Sequence, residues 1–217
     1  MAVVVNDTFT EASDTTLASH TGETGATWAK HASYAGTIRV IGATDRIRQD
    51  AVSGGDAVYY ASGTPATAEY DVQASLYVAS NVDFAGLCGR IDTAANTYYL
   101  VIYYQANGTW VLDKVVAGTA TNLGTYTQAL TLSQSYTVKL EIRDATKKVY
   151  IDGVERISSA DNAITAAGKG GVRINASSNS GTDITGYHLD TFSVTDLSGG
   201  GSSIAAIARH YMMIGES

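Results

Sequence analysis

The sequence predicts an all-β, antiparallel sandwich, and three observations favour that fold class. Through residues 136–155, the apolar residues Val138, Leu140 and Ile142 alternate with charged neighbours, as expected for strands with one buried face. Many short stretches of this kind follow one another, separated by turns of Gly, Asn, Asp and Ser. No helical period occurs before residue 203, and no repeat of solenoid type is present.

The predicted strands run from Ala2–Phe9 to Tyr187–Asp196. Residues Thr10–Ala35 are irregular, with Trp28 as the one large anchor. Asn107-Gly108 lies between two apolar runs, which is a strong hairpin signal. The strands between the two ends are predicted at Thr37–Ile41, Arg46–Gln49, Asp56–Ala61, Ala68–Ala79, Phe84–Ile91, Tyr98–Gln105, Thr109–Val116, the pair within 136–155, and Gly170–Asn175, with Asn122–Leu132 as a loop or an edge strand.

The strand pair within 136–155 turns around Asp144–Thr146 and ends in Tyr150-Ile151-Asp152-Gly153. This pattern resembles the concanavalin-like (laminin-G/glucanase) jelly roll. The resemblance covers about residues 3–197 and rests on apolar spacing, so it implies a jelly-roll β-sandwich more strongly than any function.

The opening of the chain has, in this order, Asp7-Thr8-Phe9-Thr10, Leu17, Ser19-His20-Thr21, Gly25 and Trp28. This order is similar to the opening of jelly-roll modules of bacterial and phage surface proteins. In jelly rolls of this kind the termini often lie side by side, and the first and last strands carry the similar tripeptides Asp7-Thr8-Phe9 and Asp190-Thr191-Phe192. The module is therefore expected to begin and end at one edge.

Composition excludes several classes of protein. The net charge of the 217-residue chain is −7, and no basic run is longer than Lys147-Lys148, which argues against binding nucleic acid through phosphates. The single cysteine, Cys88, permits no intrachain disulfide and is expected to be a small buried hydrophobe.

The residues after Met1 do not form a secretory signal, and no apolar run reaches membrane-spanning length. We expect synthesis in the cytoplasm and no membrane insertion.

The C-terminal region changes character after the sandwich, which is predicted to span residues 1–197. Residues 198–203 have the composition of a flexible Gly/Ser linker. In residues 204–217, four apolar side chains recur with the period of one helix face. A helix this short is marginal alone, so the segment is predicted to dock on another chain in preference to its own sandwich, which implies protein partners and a homo-oligomer or a larger particle. The four side chains are Ile204, Ile207, Tyr211 and Ile214.

Candidate catalytic groups are few. Glu69, Asp71 and Gln73 share one strand face, and glucanases of this fold use carboxylates placed in this way along one strand. Gln73 cannot act as an acid or a base, so a hydrolase is disfavoured. The histidines show no metal-ligand spacing, although His188 and Asp190 on one strand face could form a hydrogen-bonded pair. We expect no enzyme activity.

A structural calcium ion is the one metal that the resemblance suggests. Many similar binding modules hold calcium where the terminal strands meet, and there Asp7 and Asp190 would supply hard oxygen ligands. The alternative is that both side chains cap turns. No other cofactor is expected.

Tyrosine is the most suggestive residue type, with 14 tyrosines against three phenylalanines. Tyr99 and Tyr103 share a strand face with Gln105, and Tyr98 and Tyr104 lie on the opposite face. A Tyr-rich sheet could stack on sugar rings while polar neighbours take the hydroxyls. Structural use of tyrosine in a sandwich and use at a protein interface remain alternatives.

The resulting functional prediction is a non-enzymatic virion structural or accessory protein of a bacteriophage, such as a capsid decoration, fibre or tail component. It rests on the absent signal and disulfides, the small-residue composition, the apolar tail and the opening resemblance. The alternative is a carbohydrate-binding, lectin-like module, and the two are compatible because virion proteins often use lectin-like folds to contact surface glycans. A glycoside hydrolase is a distant third hypothesis.

Overall fold

The computed structural model describes residues 1–50, 55–175 and 182–197. Two antiparallel sheets pack face to face, and two short 3-10 helices, Leu17–Ser19 and Gln105–Asn107, join strands. The strands described are β1 Ala2–Asp7, β2 Thr15–Thr16, β3 Trp28–Lys30, β4 Ile38–Ile41, β5 Arg46–Gln49, β6 Ala57–Ala61, β7 Tyr70–Val78, β8 Phe84–Asp92, β9 Thr97–Tyr104, β10 Thr109–Val116, β11 Thr119–Thr127, β12 Ser135–Ile142, β13 Thr146–Ile151, β14 Val154–Ala160, β15 Lys169–Asn175 and β16 Tyr187–Asp196.

The two sheets differ in size. The nine-stranded sheet has the order β14-β13-β12-β7-β16-β5-β4-β2, and β1 also pairs with β16. The seven-stranded sheet has the order β11-β10-β9-β8-β15-β6-β3. Neighbouring strands are antiparallel throughout both orders, which confirms the predicted all-β antiparallel sandwich.

The predicted hairpin of residues 136–155 forms strands β12 and β13, in which Leu140 pairs with Val149. Asp152 and Gly153 adopt positive φ angles of 51° and 79°, and this left-handed turn leads into β14. The sequence did not predict β14, because Ile157 is its one buried residue and the rest of this edge strand is polar or exposed.

The first and last strands are neighbours, as the resemblance implied. Strand β1 pairs antiparallel with β16, and Asp7 lies opposite Phe192. The region after β1 was predicted to be irregular, but it contains β2, the first 3-10 helix and β3. Trp28 begins β3, and its ring packs edge-on against Phe192 with centroids 5.0 Å apart. The two chain ends of the sandwich therefore meet at one place in the nine-stranded sheet.

The core lies between the two inner faces. Its largest fully buried side chains include Trp110, Tyr70, Tyr99 and Phe192, and each apolar side chain of this size stabilises the fold by about 1.5–3 kcal/mol through burial. Tyr70 also makes polar contacts: its hydroxyl donates to the carbonyl of Ala167 at 2.9 Å. The core therefore uses tyrosine as a wide hydrophobe whose polar tip is satisfied at the sandwich end.

Two sequence predictions concern membranes and the C-terminal segment. Within the described ranges, no helix has the length and apolar character needed to cross a membrane. The predicted linker 198–203 and the predicted docking residues lie outside the described residues. Those docking residues are Ile204, Ile207, Tyr211 and Ile214.

Candidate functional site

Strand β9 divides its side chains between the core and the outward face of the seven-stranded sheet. Tyr99 and Tyr103 belong to the core between the sheets. Leu100 and Ile102 belong to a second apolar cluster, on the outward face. Because successive side chains of a strand alternate, Tyr104 lies on that outward face as well.

This placement corrects the expectation that Tyr99 and Tyr103 form an exposed ring platform. They are 0% and 3% exposed, so no external sugar can stack on them. The Tyr99 hydroxyl donates to Asp161 Oδ1 at 2.6 Å, and the Tyr103 hydroxyl donates to the carbonyl of Gln128 at 2.8 Å. Both tyrosines therefore make contacts within the protein core and are not available to a ligand.

The outward apolar cluster is covered by its own side chains and by the loop after β3. Cys88 and Leu100 are 0% and 1% exposed, and Tyr34 from that loop packs against the cluster. The Tyr34 hydroxyl donates to Asn96 Oδ1 at 3.0 Å and also contacts the Tyr98 hydroxyl. Burial raises the pKa of Cys88 to about 12, which keeps the thiol protonated and confirms it as a buried hydrophobe.

One ion pair crosses this apolar face. The Arg173 guanidinium contacts the Asp56 carboxylate and donates to the Tyr98 hydroxyl at 3.2 Å. Burial opposes the charge of Arg173, yet Tyr98 and Asp56 raise its pKa. The Arg173 guanidinium also lies 5.3 Å from the centroid of the Phe84 ring. Arg173 therefore links the centre of the face to its aromatic end.

An open cleft of about 360 Å³ lies at that end, and we call it the aromatic cleft. Phe84 at the start of β8 is paired directly with Tyr104 at the end of β9, so both rings lie on the outward face with centroids 6.0 Å apart and planes tilted by 37°. Tyr104 is 39% exposed. The residues lining the cleft are Asp83, Phe84, Tyr104, Gln105, Ala106 and Asn175.

Two polar side chains of the aromatic cleft are positioned by the ends of two elements, the 3-10 helix after β9 and strand β15. Gln105 opens the 3-10 helix after β9, its backbone N–H donates to the carbonyl of Asp83 at 3.3 Å, and its side chain is exposed. Asn175 ends β15, and its side-chain amide donates to Asp56. Of the three predicted glycan residues, Gln105 is thus the one that lines a cleft.

The expected calcium ligands do not come together. Asp7 is fully buried, and its carboxylate accepts hydrogen bonds from Trp28 Nε1 at 2.6 Å and from the Phe9 backbone at 2.7 Å, with His20 Nε2 2.9 Å away. Asp190 lies on the opposite side of its sheet, because its neighbour Leu189 points into the core. Within the described ranges, no group of three or more His, Cys, Asp or Glu side chains could hold a metal ion.

The candidate carboxylates, Asp71 in β7 and Glu69 just before it, lie on the outward face of the nine-stranded sheet. Asp71 Oδ1 is 2.9 Å from Arg143 Nη1, and Glu69 Oε1 accepts a hydrogen bond from the Asp144 backbone at 3.3 Å. Gln73 is exposed beside them. None of the three lines the aromatic cleft.

His188 and Asp190 do not form the pair that their spacing suggested. His188 Nε2 donates to the carbonyl of Thr185 at 3.0 Å, and the Asp190 carboxylate accepts from the Thr191 backbone at 2.6 Å. Both contacts are to backbone groups close in sequence, and the other ring nitrogen of His188, Nδ1, is buried without a hydrogen-bond partner among the described residues.

No family model and no curated protein sequence matches the chain. A protein of unknown function with a galectin-like fold from Bacillus subtilis matches with a TM-score of 0.64 at 12% identity, over 90% of this chain and 96% of that one. The carbohydrate-binding module CBM66 from Bacillus subtilis matches with a TM-score of 0.59 at 16% identity, over 78% and 95% of the two chains. The exoplasmic/lumenal domain of VIP36, in a form bound to Ca²⁺ and Man3GlcNAc, matches with a TM-score of 0.59 at 8% identity, over 81% and 85%.

The chain has the concanavalin-like jelly-roll fold. The three likenesses cover most of the jelly roll and extend over nearly all of each neighbour. At these identities they concern the fold, since folds of this kind host sites that differ from protein to protein.

The sequence did not single out the cleft residues Asp83, Phe84 and Asn175, and it placed Tyr104 on the face opposite to its candidates. Both faces of β9 are apolar, and nothing in the sequence indicates which of them lies inside the sandwich. The pairing of Phe84 with Tyr104 follows only from the register of β8 and β9, which the sequence did not fix.

Proposed function

We propose that this protein is a carbohydrate-binding, lectin-like module that holds a glycan in the aromatic cleft. The observation that carries the proposal is the Phe84–Tyr104 pair, which presents a partly exposed aromatic surface at the mouth of a cleft. Fold likeness to CBM66 and to VIP36, named as a carbohydrate-binding module and as a Man3GlcNAc complex, supports the same class of ligand.

The chemistry of the cleft suits a sugar because it combines a ring face with polar groups at its edge. A sugar ring has an apolar face that packs on an aromatic ring, and Tyr104 offers such a ring with a polar tip. The hydroxyls of the sugar need donors and acceptors. The Gln105 amide supplies both, and within the described residues it makes no hydrogen bond of its own. Few polar groups around an apolar contact are typical of small-ligand sites.

The test is a glycan array of the full chain, followed by calorimetric titration of the best neutral oligosaccharide. Tyr104→Ala should weaken its binding about tenfold or more, because loss of one central aromatic contact costs upwards of about 1.4 kcal/mol. Tyr104→Phe should keep most of the affinity, since it retains the ring.

Tyr150→Ala is the matched control, because Tyr150 lies on the other sheet and stacks under Lys139 at 4.2 Å. Equal losses in Tyr104→Ala and Tyr150→Ala would contradict the placement of the site. Absence of glycan binding by the full chain would contradict the function itself.

We further propose that the module is not an enzyme. Asp71 is held by Arg143, and Glu69 accepts a backbone hydrogen bond on an open sheet face, so neither is placed beside a bound substrate. The virion role and assembly through the C-terminal segment stay predictions, because the support from fold likeness is for glycan binding.

A further inference from the structure

A second and larger cleft, of about 450 Å³, lies at the other end of the same strands. The aromatic cleft is formed where β8 begins and β9 and β15 end, whereas this one is formed where β8 ends and β9 and β15 begin. The eight residues of β9 separate the two clefts by roughly 23 Å at about 3.3 Å per residue. We call it the basic cleft, and its lining includes Arg90, Asp92, Thr97, Val116, Ile164 and Lys169.

Lys169 gives the basic cleft an ammonium group whose hydrogen-bond partners are neutral. Its Nζ donates to the carbonyl of Ser62 at 2.5 Å and to the Thr64 hydroxyl. No carboxylate lies within ion-pair distance of it in the part of the chain that the structure describes. Partial burial lowers the pKa of Lys169, as expected for an ammonium that has no carboxylate partner. An ammonium has three donors, so one remains for a ligand.

Arg90 adds a second cation of the same kind. It lies in a bulge of β8 with φ of 53°, and it is 1% exposed. Its Nε and Nη2 donate to the carbonyl of Ala68 at 3.1 and 2.8 Å, and its Nη1 donates to the carbonyl of Ile164. Among the described residues it too has no carboxylate partner. Neutral groups, which are backbone carbonyls and the Thr64 hydroxyl, therefore offset two positive charges at one cleft.

The remaining lining suits an organic anion rather than a bare ion. Val116, 43% exposed, and Ile164 form an apolar wall. Thr97 is one of several threonines that supply hydroxyl groups. The carboxylate of Asp92 accepts hydrogen bonds from the backbone N–H groups of Ala94 and Ala95 in the turn that follows β8. These hydrogen bonds lower the pKa of Asp92. The cleft is thus net positive in a chain whose net charge is −7.

We propose that the basic cleft is a second, independent binding site that takes a carboxylate-bearing sugar, a uronate. The carboxylate pairs with the Lys169 ammonium, the sugar hydroxyls bond to the threonines, and the apolar face of the ring packs on Val116 and Ile164. The site shares no lining residue with the aromatic cleft, so it does not depend on the function proposed above.

The test uses the full chain and three probes: D-glucuronate, D-glucose and acetate, each followed by calorimetry and by amide chemical shifts. Glucuronate should bind at least about tenfold more tightly than glucose, and its affinity should fall as salt is added. Acetate should bind more weakly than glucuronate, since it lacks the ring. Lys169→Gln should abolish the preference for glucuronate over glucose.

Lys30→Gln is the matched control, because Lys30 also donates to a backbone carbonyl, that of Ala35 at 3.2 Å, but lies outside the cleft. It should leave the preference unchanged. Equal binding of glucuronate and glucose, equal binding of glucuronate and acetate, or equal loss in both lysine variants would overturn the proposal. Loss of glucuronate binding in Tyr104→Ala, with Lys169→Gln unaffected, would overturn it as well by placing the anion in the aromatic cleft.

Discussion

The outward faces of the two sheets differ in the number of charged side chains that they carry and in how far these are surrounded by apolar groups. On the nine-stranded sheet, Asp71 and Glu141 lie directly opposite each other and are interleaved with Lys139 and Arg143 at distances of 2.9 to 3.6 Å. On the seven-stranded sheet, the Arg173–Asp56 pair lies on a face that also carries a buried apolar cluster.

The outward face of the nine-stranded sheet is therefore a solvated surface, and the outward face of the seven-stranded sheet is a second core. A network of partly exposed charges satisfies itself and keeps its sheet soluble, with little gain in stability. An apolar face whose Leu100 is 1% exposed gains stability by excluding water, as a core does. The two clefts that we propose to bind ligands lie at the ends of strands that carry this second face.

The largest effect is expected from removing the centre of the second core. Leu100→Ala should lower the free energy of unfolding by about 3 kcal/mol, because a buried leucine loses its apolar contacts and leaves a cavity. Lys139→Ala on the other face should cost less than about 1 kcal/mol. Denaturant unfolding of both variants measures this. Equal costs would show that the outward cluster does not behave as a core.

An intermediate effect is expected from breaking one ion pair on each face. Arg173→Met should cost about 2 kcal/mol, because it leaves the carboxylate of Asp56 without its counter-ion in a partly buried site. Arg143→Met should cost under about 1 kcal/mol, since Lys139 still neutralises the carboxylates of the network. The comparison fails if the two arginine variants unfold at the same denaturant concentration.

The smallest effect is expected from titration of a buried histidine on the charged face. His188 is 0% exposed, and burial, with Arg46 and Arg48 nearby, lowers its pKa to about 4 from the ordinary value of 6.5. The unfolded state therefore binds a proton first as the pH falls. Stability should drop by roughly 1–2 kcal/mol between about pH 7 and about pH 5, and His188→Gln should remove that drop.

His20 is the control with the opposite sign. Burial alone would lower its pKa, but hydrogen bonds to Asp7 and Glu11 outweigh burial and raise it. Protonated His20 therefore stabilises the fold most at a pH below 6.5, the pKa of histidine in the unfolded chain. This stabilisation is lost as the pH rises through the higher pKa that His20 has in the folded protein. His20→Gln should leave the acid-side drop in place. Persistence of that drop in His188→Gln would assign it to other groups.

Local pattern was enough to predict most strands and the hairpin of residues 136–155, because a hairpin is set by alternation and by turn residues close in sequence. The resemblance to jelly rolls, rather than local pattern, implied that β1 lies beside β16. Local pattern failed for β14, whose one buried residue, Ile157, gives no period.

The alternation within β9 already predicts two sets of side chains, with Tyr99 and Tyr103 in one and Tyr104 in the other. The packing of the two sheets selects which set is inside, because both sets are apolar and period two does not distinguish inside from outside. The tertiary structure also decided the Arg173–Asp56 pair, since partners 117 residues apart meet only when the whole sheet has formed. Both candidate clefts depend on such long-range neighbours, which no local pattern encodes.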